Sequence, residues 1–368
     1  MPSSLTSPLP FADFNNLTDA ECAERIQAAR TALGSRVALL CHHYQRADVY
    51  CHADLTGDSL KLSRMAAQTS AEYLVFCGVH FMAEVADMMS QAHQTAILPD
   101  LAAGCSMADM ASLSKVTRCW RELNTVLAAD TTITPVTYIN SAADLKAFCG
   151  ERGGIVCTSS NARTVAEWAF TQREKILFFP DQHLGRWTGY QLGLPLEAME
   201  VWDPDQPLGG LTPDRIKAAK ILLWKGHCSV HQMFQKHHVD TFRAGHPDGY
   251  VIAHPECNFE VCLAADYVGS TELIVKTIKE APAGTHWLVG TELNLVERLA
   301  HEVAPQNKTV QFMANTVCMC STMQRIDPQH LAWTLENLVA GHVVNAIRVS
   351  PEEAKSARTA LDRMLAIS

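Results

Sequence analysis

The stretch that decides the fold class runs from Ile155 to Phe179. It opens with the short apolar run Ile155-Val156-Cys157 and the polar turn Thr158-Ser159-Ser160-Asn161. A segment of helical length and period follows, Ala162–Phe170, and then a second apolar run, Lys175-Ile176-Leu177-Phe178-Phe179. Strand, helix, strand with short connections is the unit from which parallel sheets covered by helices are built. The same alternation extends in both directions. Upstream, strands read at Arg36–Cys41, Glu72–Phe76, Thr95–Leu98 and Thr134–Tyr138. Downstream they read at Lys220–Trp224, Gly249–Ala253, Asp266–Val268, Thr285–Val289 and Thr309–Phe312. Helical segments such as Ser59–Gln68, Ala142–Phe148 and Glu272–Lys279 lie between them, and Thr18-Asp19-Ala20-Glu21 is a capping box opening a helix to about Leu33. The expectation is an α/β protein.

One sheet of all these strands would be large. The punctuation instead suggests three similar units with short parallel sheets, each ending near a cysteine loop: Gly104-Cys105, Gly226-His227-Cys228 and Cys318-Met319-Cys320. Cuts near Leu113 and Ser229 give domains over 1–113, 114–229 and 230–368. The C-terminal helices go with the third unit or wrap back onto the first. The stretch Tyr190–Pro213, rich in Pro and Gly, reads as an irregular insertion.

The chain has 368 residues, long enough for two or three domains. Its composition, 48% apolar and 19% charged, excludes disorder and coiled coil. A net charge of -9 argues against nucleic acid as a partner. No apolar run approaches a membrane span, so no membrane role is expected. Met1 to Asn16 lacks a basic start followed by an apolar stretch, which reads as no signal peptide and gives a cytoplasmic expectation.

Polar residues collect where strands end, and in open parallel sheets ligands bind beyond the carboxyl ends of the strands. The first strand runs into His42-His43-Tyr44-Gln45. Others run into Tyr138-Ile139-Asn140, Thr158–Asn161, Pro180-Asp181-Gln182-His183, His254-Pro255-Glu256-Cys257, Gly269-Ser270-Thr271 and Gly290-Thr291-Glu292. This regularity points to one shared site. Thr158–Asn161, Gly269-Ser270-Thr271 and Gly57-Asp58-Ser59 are also good helix N-caps, and a capped helix start is an anion site. Three of them suit substrates carrying carboxylates or phosphate. Pro180–Arg186 is given no chemistry, and a structural role with Asp181 and Arg186 paired weighs at least as much as a functional one.

The 13 cysteines are too many to ignore and, in a reducing compartment, do not read as a disulfide framework. Cys77, Cys149 and Cys262 lie in apolar runs as small hydrophobes. Cys105, Cys228 and Cys318/Cys320 lie in loops without CxxC spacing, which disfavours structural zinc. Three thiolates from three units suit an iron–sulfur cluster whose fourth iron stays open as a Lewis acid. Three unrelated thiols is the other reading of these residues.

Together the motifs resemble those of the quinolinate synthase A family of bacterial NAD biosynthesis, from about Ser35 to the C-terminus. The resemblance rests on His42–Gln45, Gly57–Ser59, Cys77–Glu84, Pro99–Asp109, Tyr138–Asn140, Thr158–Ala162, Pro180–Gly185, Trp224–His231, His254–Cys257, Gly269–Thr271 and Gly290–Glu292. It implies three α/β domains in a pseudo-threefold triangle around a central site with a [4Fe–4S] cluster. It also implies condensation of iminoaspartate with dihydroxyacetone phosphate to quinolinate, phosphate and two waters, with possible transient coupling to L-aspartate oxidase. The implied cluster ligands are Cys105, Cys228 and one of the Cys318/Cys320 pair. Cys320 is chosen because the nearest family form uses the second, although that form has Pro where this chain has Met319. Implied substrate-binding residues are His42, Ser59, Tyr138, Ile139, Asn140, Ser159, His254, Pro255, Glu256 and Thr271. Tyr44, His254 and Glu256 are the proton-transfer candidates. Like-charge repulsion from cluster and substrates is expected to raise the Glu256 pKa toward neutrality. The competing readings are a different cluster-dependent hydro-lyase and an iron–sulfur sensor.

Overall fold

The computed structural model describes residues 7–316 and 319–367. Among them, thirteen strands form three sheets. The first contains β1 (Val37–His42), β2 (Leu55–Gly57), β3 (Tyr73–Cys77) and β4 (Thr95–Ile97), in the order β2-β1-β3-β4. The second contains β5 (Ile133–Tyr138), β6 (Ile155–Cys157), β7 (Lys175–Phe179), β8 (Met199–Trp202) and β9 (Ile221–Trp224), ordered β6-β5-β7-β9-β8. The third contains β10 (Tyr250–Ala253), β11 (Tyr267–Val268), β12 (His286–Gly290) and β13 (Thr309–Phe312), ordered β11-β10-β12-β13. Every pairing of these strands is parallel. Helices cover both faces of such sheets, which is why β1, β3, β5 and β7 are buried along their whole length.

The chain divides into two compact units, Met1–Gly104 with Cys320–Arg348, and Cys105–Met319 with Val349–Ser368. The first holds the first sheet. Its helix Asp19–Leu33 begins at the expected capping box, where Glu21 N–H donates to Thr18 Oγ1 at 3.3 Å and Thr18 N–H to the Glu21 carboxylate at 2.8 Å. The helix Pro328–Val339 lies against it, fastened by a two-pronged Arg25–Glu336 pair at 2.5 and 2.6 Å.

The second unit holds the other two sheets. Ile252, Ile274, Ile278, Trp287, Val289, Val296 and Leu299 make the core of the third sheet with its helices. The last helix, Pro351–Ala366, packs on the helix Ala143–Glu151 and on β6, beside the second sheet. Gly150 permits that approach, since a Cβ there would overlap the Ser356 carbonyl oxygen.

Two strands escape the sequence reading. β2 is a three-residue strand among polar residues, and β8 lies inside the stretch read as irregular. A one-sided edge strand needs no strong apolar pattern, because only one neighbour pairs with it. Gln182–Gln191 is a helix, where the motif reading saw only a polar run. No helix among the described residues is long and apolar enough to cross a membrane.

Candidate active site

In the first unit, β1 ends at His42, whose register partner is Gly57 at the end of β2. Tyr44 N–H donates to His42 Nδ1 at 3.2 Å, and the Tyr44 ring stands edge-on to the imidazole with centroids 4.8 Å apart. Asp58 caps the helix Ser59–Gln68 by accepting from Lys61 N–H at 2.9 Å. Ser59 is therefore the first helical residue, and a carboxylate already occupies that helix start. Cys320 lies in a turn where Gln324 N–H donates to its carbonyl at 3.1 Å. Arg325, in the same turn, pairs at 2.7 Å with Asp100, in the loop that follows β4. Cys318 lies outside the described residues.

In the second unit, the carboxyl ends of both sheets contribute. Met110 joins two cysteine loops: its carbonyl accepts from Trp224 Nε1 at 2.9 Å, and its sulfur accepts from His227 N–H at 3.4 Å. The chain after Cys105 is thereby held against the chain before Cys228. Gly226 lets the same loop pack against the turn after β7, because a Cβ there would collide with the Pro180 carbonyl oxygen. Asp181 does not pair with Arg186. Fully buried, it caps its own helix through Leu184 N–H at 2.6 Å and also faces the Cys228 N–H. Burial, reinforced by Glu256, pushes its pKa well above the carboxylate range.

Glu256 and His254 sit on the loop after β10, both buried, with Pro255 buried between them. Glu256 N–H donates to His254 Nδ1 at 3.4 Å, which leaves the proton of a neutral ring on Nε2. Glu256 Oε2 lies 2.9 Å from His231 Nδ1, and Tyr138 also hydrogen-bonds the carboxylate. His231 Nε2 in turn meets Thr291 Oγ1 at 3.2 Å. The run Tyr138–Glu256–His231–Thr291 is thus a continuous buried polar chain.

The protein's own groups pull the Glu256 pKa in the direction opposite to the expected rise. Burial does push it up, but the imidazoles of His254 and His231 and the hydrogen bonds from His231 and Tyr138 outweigh it, holding the carboxyl at about 2. His254 is driven by burial down to about 3, against the pull of Glu256, and is neutral at physiological pH.

The remaining substrate-site candidates of this unit lie at or just beyond neighbouring strand ends. Tyr138 and Ile139 are buried at the end of β5, and Asn140 Oδ1 is a buried oxygen with no hydrogen-bond partner among the described residues. Thr271 Oγ1 has the same character. The N-cap of its helix is Ser270, which accepts from Leu273 N–H at 3.4 Å and so leaves the Thr271 hydroxyl uncommitted. Ser159 lines a cavity of about 200 Å³ together with Pro255 and Ser270, which places it at the same edge.

Similarity to known proteins extends over almost the whole chain. The family model described as quinolinate synthetase A protein matches residues 24–366. The chain belongs to that family. It is 56% identical to the quinolinate synthase of Acidobacterium capsulatum over 352 residues, covering 96% of this chain and 94% of the relative. It is 55% identical to that of Nocardioides sp., covering 96% and 91%, and 52% identical to that of Herpetosiphon aurantiacus, covering 97% and 95%. This member of the family is accordingly an enzyme of the quinolinate synthase kind.

The cysteines of this family member sort by burial. Of the twelve described, eight are buried, Cys51 is exposed, and Cys105, Cys228 and Cys320 are partly exposed. Burial raises the buried thiols Cys119, Cys157 and Cys257 well above the ordinary range, so they stay protonated and inert. The three partly exposed sulfurs are the three loop thiols, soft donors with access to a bound group. Thiolates of that kind are the donors an iron–sulfur cluster takes.

His231, Thr291 and the Cys228-facing role of Asp181 were missed by sequence reasoning. His231 lies in the quoted Trp224–His231 run, but nothing in spacing says that a turn after β9 reaches a carboxylate after β10.

Proposed function

We propose that this chain condenses iminoaspartate with dihydroxyacetone phosphate to quinolinate, phosphate and two waters, as a step of NAD biosynthesis. The observation that carries this reading is the buried Tyr138–Glu256–His231 chain beside two unpartnered oxygens, Asn140 Oδ1 and Thr271 Oγ1, in a member of the quinolinate synthetase A family.

Cys105, Cys228 and Cys320 would hold a [4Fe–4S] cluster, which when bound supplies an open iron as Lewis acid for a hydroxyl group. The protein's own groups do the rest. Asn140 and Thr271 offer polar atoms already stripped of water, so a substrate carboxylate or phosphate there satisfies them. Thr271, at the start of a helix, adds backbone N–H groups and the favourable dipole end for the same anions, and Ser159 serves them from the turn before the helix Ala162–Gln172. His42 and Ser59 serve the substrate from the first unit in this reading.

Glu256, ionised at neutral pH, is suited to take a proton from substrate carbon or nitrogen. His231 and Tyr138 fix its orientation, and Tyr138 can return a proton from its hydroxyl. His254 presents Nε2–H as a neutral donor. Tyr44 is the proton carrier of the first unit. The burial of Tyr138, His254 and Glu256 limits the water that could hydrolyse an imine before ring closure.

A second reading has a specific observation behind it. Ligand atoms of Cys228, His231 and Glu256 lie within 4.8 Å of one another, the composition of a mononuclear metal site. Metal and sulfide analysis of anaerobically purified protein separates the two readings. Four irons with sulfide per chain and quinolinate formed from freshly generated iminoaspartate are expected. One zinc per chain, or no quinolinate from protein with a full cluster, overturns the proposal.

A further inference from the structure

Lys146 is a lysine with no exposed surface, in the first half of the helix Ala143–Glu151. Its place is costly twice over. A buried ammonium loses its hydration, and a cation near a helix N-terminus opposes the helix dipole. The helix has no side-chain N-cap bond from Ala142 to offset this. An apolar residue of the same length would fill the volume at no such cost.

Its hydrogen bonds explain the choice. The ammonium donates to the Ser141 carbonyl oxygen and, at 3.5 Å, to Ser141 Oγ. Ser141 Oγ donates to the Tyr138 carbonyl at 2.8 Å and accepts from Thr137 Oγ1 at 2.9 Å. The backbone is pinned as well: Ile139 N–H donates to the Cys157 carbonyl, and Ser141 N–H to the Ile139 carbonyl, both at 2.8 Å. Thr137 and Ser141 are both fully buried. Every one of these bonds has an end on Tyr138–Ser141, the last residue of β5 and the three that follow it. That turn carries Tyr138, which reaches Glu256, and Asn140, whose buried Oδ1 lacks a partner among the described residues.

We propose that Lys146 is a positioning residue for substrate binding, holding the Tyr138–Ser141 turn so that the Tyr138 hydroxyl and the Asn140 amide stand ready before substrate arrives. The inference rests on the proposed role of that turn in binding iminoaspartate or dihydroxyacetone phosphate. Pre-set polar groups spare the substrate the ordering of the turn, so loss of the clamp appears first in KM.

The test is Lys146→Met, which keeps length and removes charge, with Lys146→Arg as the rescue. In anaerobically purified protein, Lys146→Met should retain wild-type iron and melt within a few degrees of wild type. Amide exchange at Ile139 and Ser141 should quicken by about tenfold, and KM for at least one substrate should rise by about tenfold, the loss of one or two hydrogen bonds, with a smaller change in kcat. Lys146→Arg should recover most of both effects. Unchanged exchange and unchanged KM in Lys146→Met overturn the proposal, as does lost iron and lowered melting with KM unaltered in the folded fraction. Should Lys146→Met not fold, Ser141→Ala carries the same expectations, and wild-type KM and exchange in that variant overturn the proposal. Absence of quinolinate formation by the wild type would sink the functional reading, while the exchange comparison would still decide the clamp.

Discussion

The first and third sheets are built alike and end differently. Their strand orders correspond, β2-β1-β3-β4 against β11-β10-β12-β13. Each central strand runs into a histidine whose Nδ1 accepts the N–H two residues later, His42 from Tyr44 at 3.2 Å and His254 from Glu256 at 3.4 Å. Each neighbouring strand leads through a capping residue, Asp58 or Ser270, to a hydroxyl residue that starts a helix, Ser59 or Thr271. One backbone device thus delivers a phenol in one sheet and a carboxylate in the other. The chemistry differs because the surroundings do. Glu256 is fully enclosed and held ionised by His231 and Tyr138, whereas Tyr44 is half-buried beside His42. The helix start at Thr271 is capped by a neutral serine and can still take an anion, while that at Ser59 already faces the Asp58 carboxylate.

The largest effect expected concerns the proposed cluster. Cys320→Ser in the first and Cys228→Ser or Cys105→Ser in the second should each abolish iron retention, read by iron and sulfide analysis. Cys257→Ser, at a buried thiol that donates to the Gly290 carbonyl, should keep the iron. Retention of a full cluster by Cys320→Ser would remove the first unit from the ligand set.

Next comes the contrast between carboxylate and phenol. Glu256→Gln should leave iron and visible spectrum intact while quinolinate formation falls by roughly 10²-fold or more. Tyr44→Phe, acting on the half-buried counterpart, should cost about tenfold. A Tyr44 variant more damaged than the Glu256 variant would reverse the assignment of the principal proton carrier.

The two helix starts give a smaller difference. Thr271→Val removes a buried oxygen without changing shape, and substrate KM should rise by about tenfold. Ser59→Ala should change KM by no more than about threefold, because Asp58 keeps that helix end satisfied. Equal effects would show that the cap residue does not govern anion binding.

The smallest effect is on stability against pH. Glu256 is held below its ordinary value of 4.5, so the unfolded chain takes up its proton first as pH falls. Its contribution is complete above about pH 4.5 and is lost as pH drops toward about 2. The melting temperature of Glu256→Gln should therefore fall less steeply than that of wild type below pH 4.5. Tyr44→Phe, which has no acid titration, should follow the wild-type curve. Parallel curves for wild type and Glu256→Gln would mean that the carboxylate is not favoured by the fold.

Much of this was legible before any coordinates. Eleven strand segments read from apolar runs correspond to strands, most within a residue, because a buried parallel strand must be apolar on both faces. Cys105 and Cys228 were separable from the core cysteines by the glycines just before them, and both, like Cys320, are partly exposed. The polar strand ends were recognisable as a set because ligand sites in parallel sheets gather at one edge. β2 and β8 were not legible, since one edge strand is short and polar and the other sits among Pro and Gly.

What local pattern determined, then, is every feature written in periodicity and punctuation: the α/β class, the capping of Asp19–Leu33 by Thr18, and the residues placed at strand ends. The tertiary structure decided what those residues face. Glu256 was read as a carboxylate among negative charges, yet β9 and β10 bring His231 to 2.9 Å from it, and β5 brings Tyr138, so the ionised form is favoured. Asp181 was read as a partner for Arg186, yet the turn after β7 aims it at its own helix and at Cys228. Lys146 carries no signal in the helical segment Ala142–Phe148, yet in the folded chain it has no exposed surface. Charge and hydrogen-bond partners in a folded chain come from segments far apart in sequence, and electrostatic energy depends on those distances and on burial, neither of which a linear pattern carries.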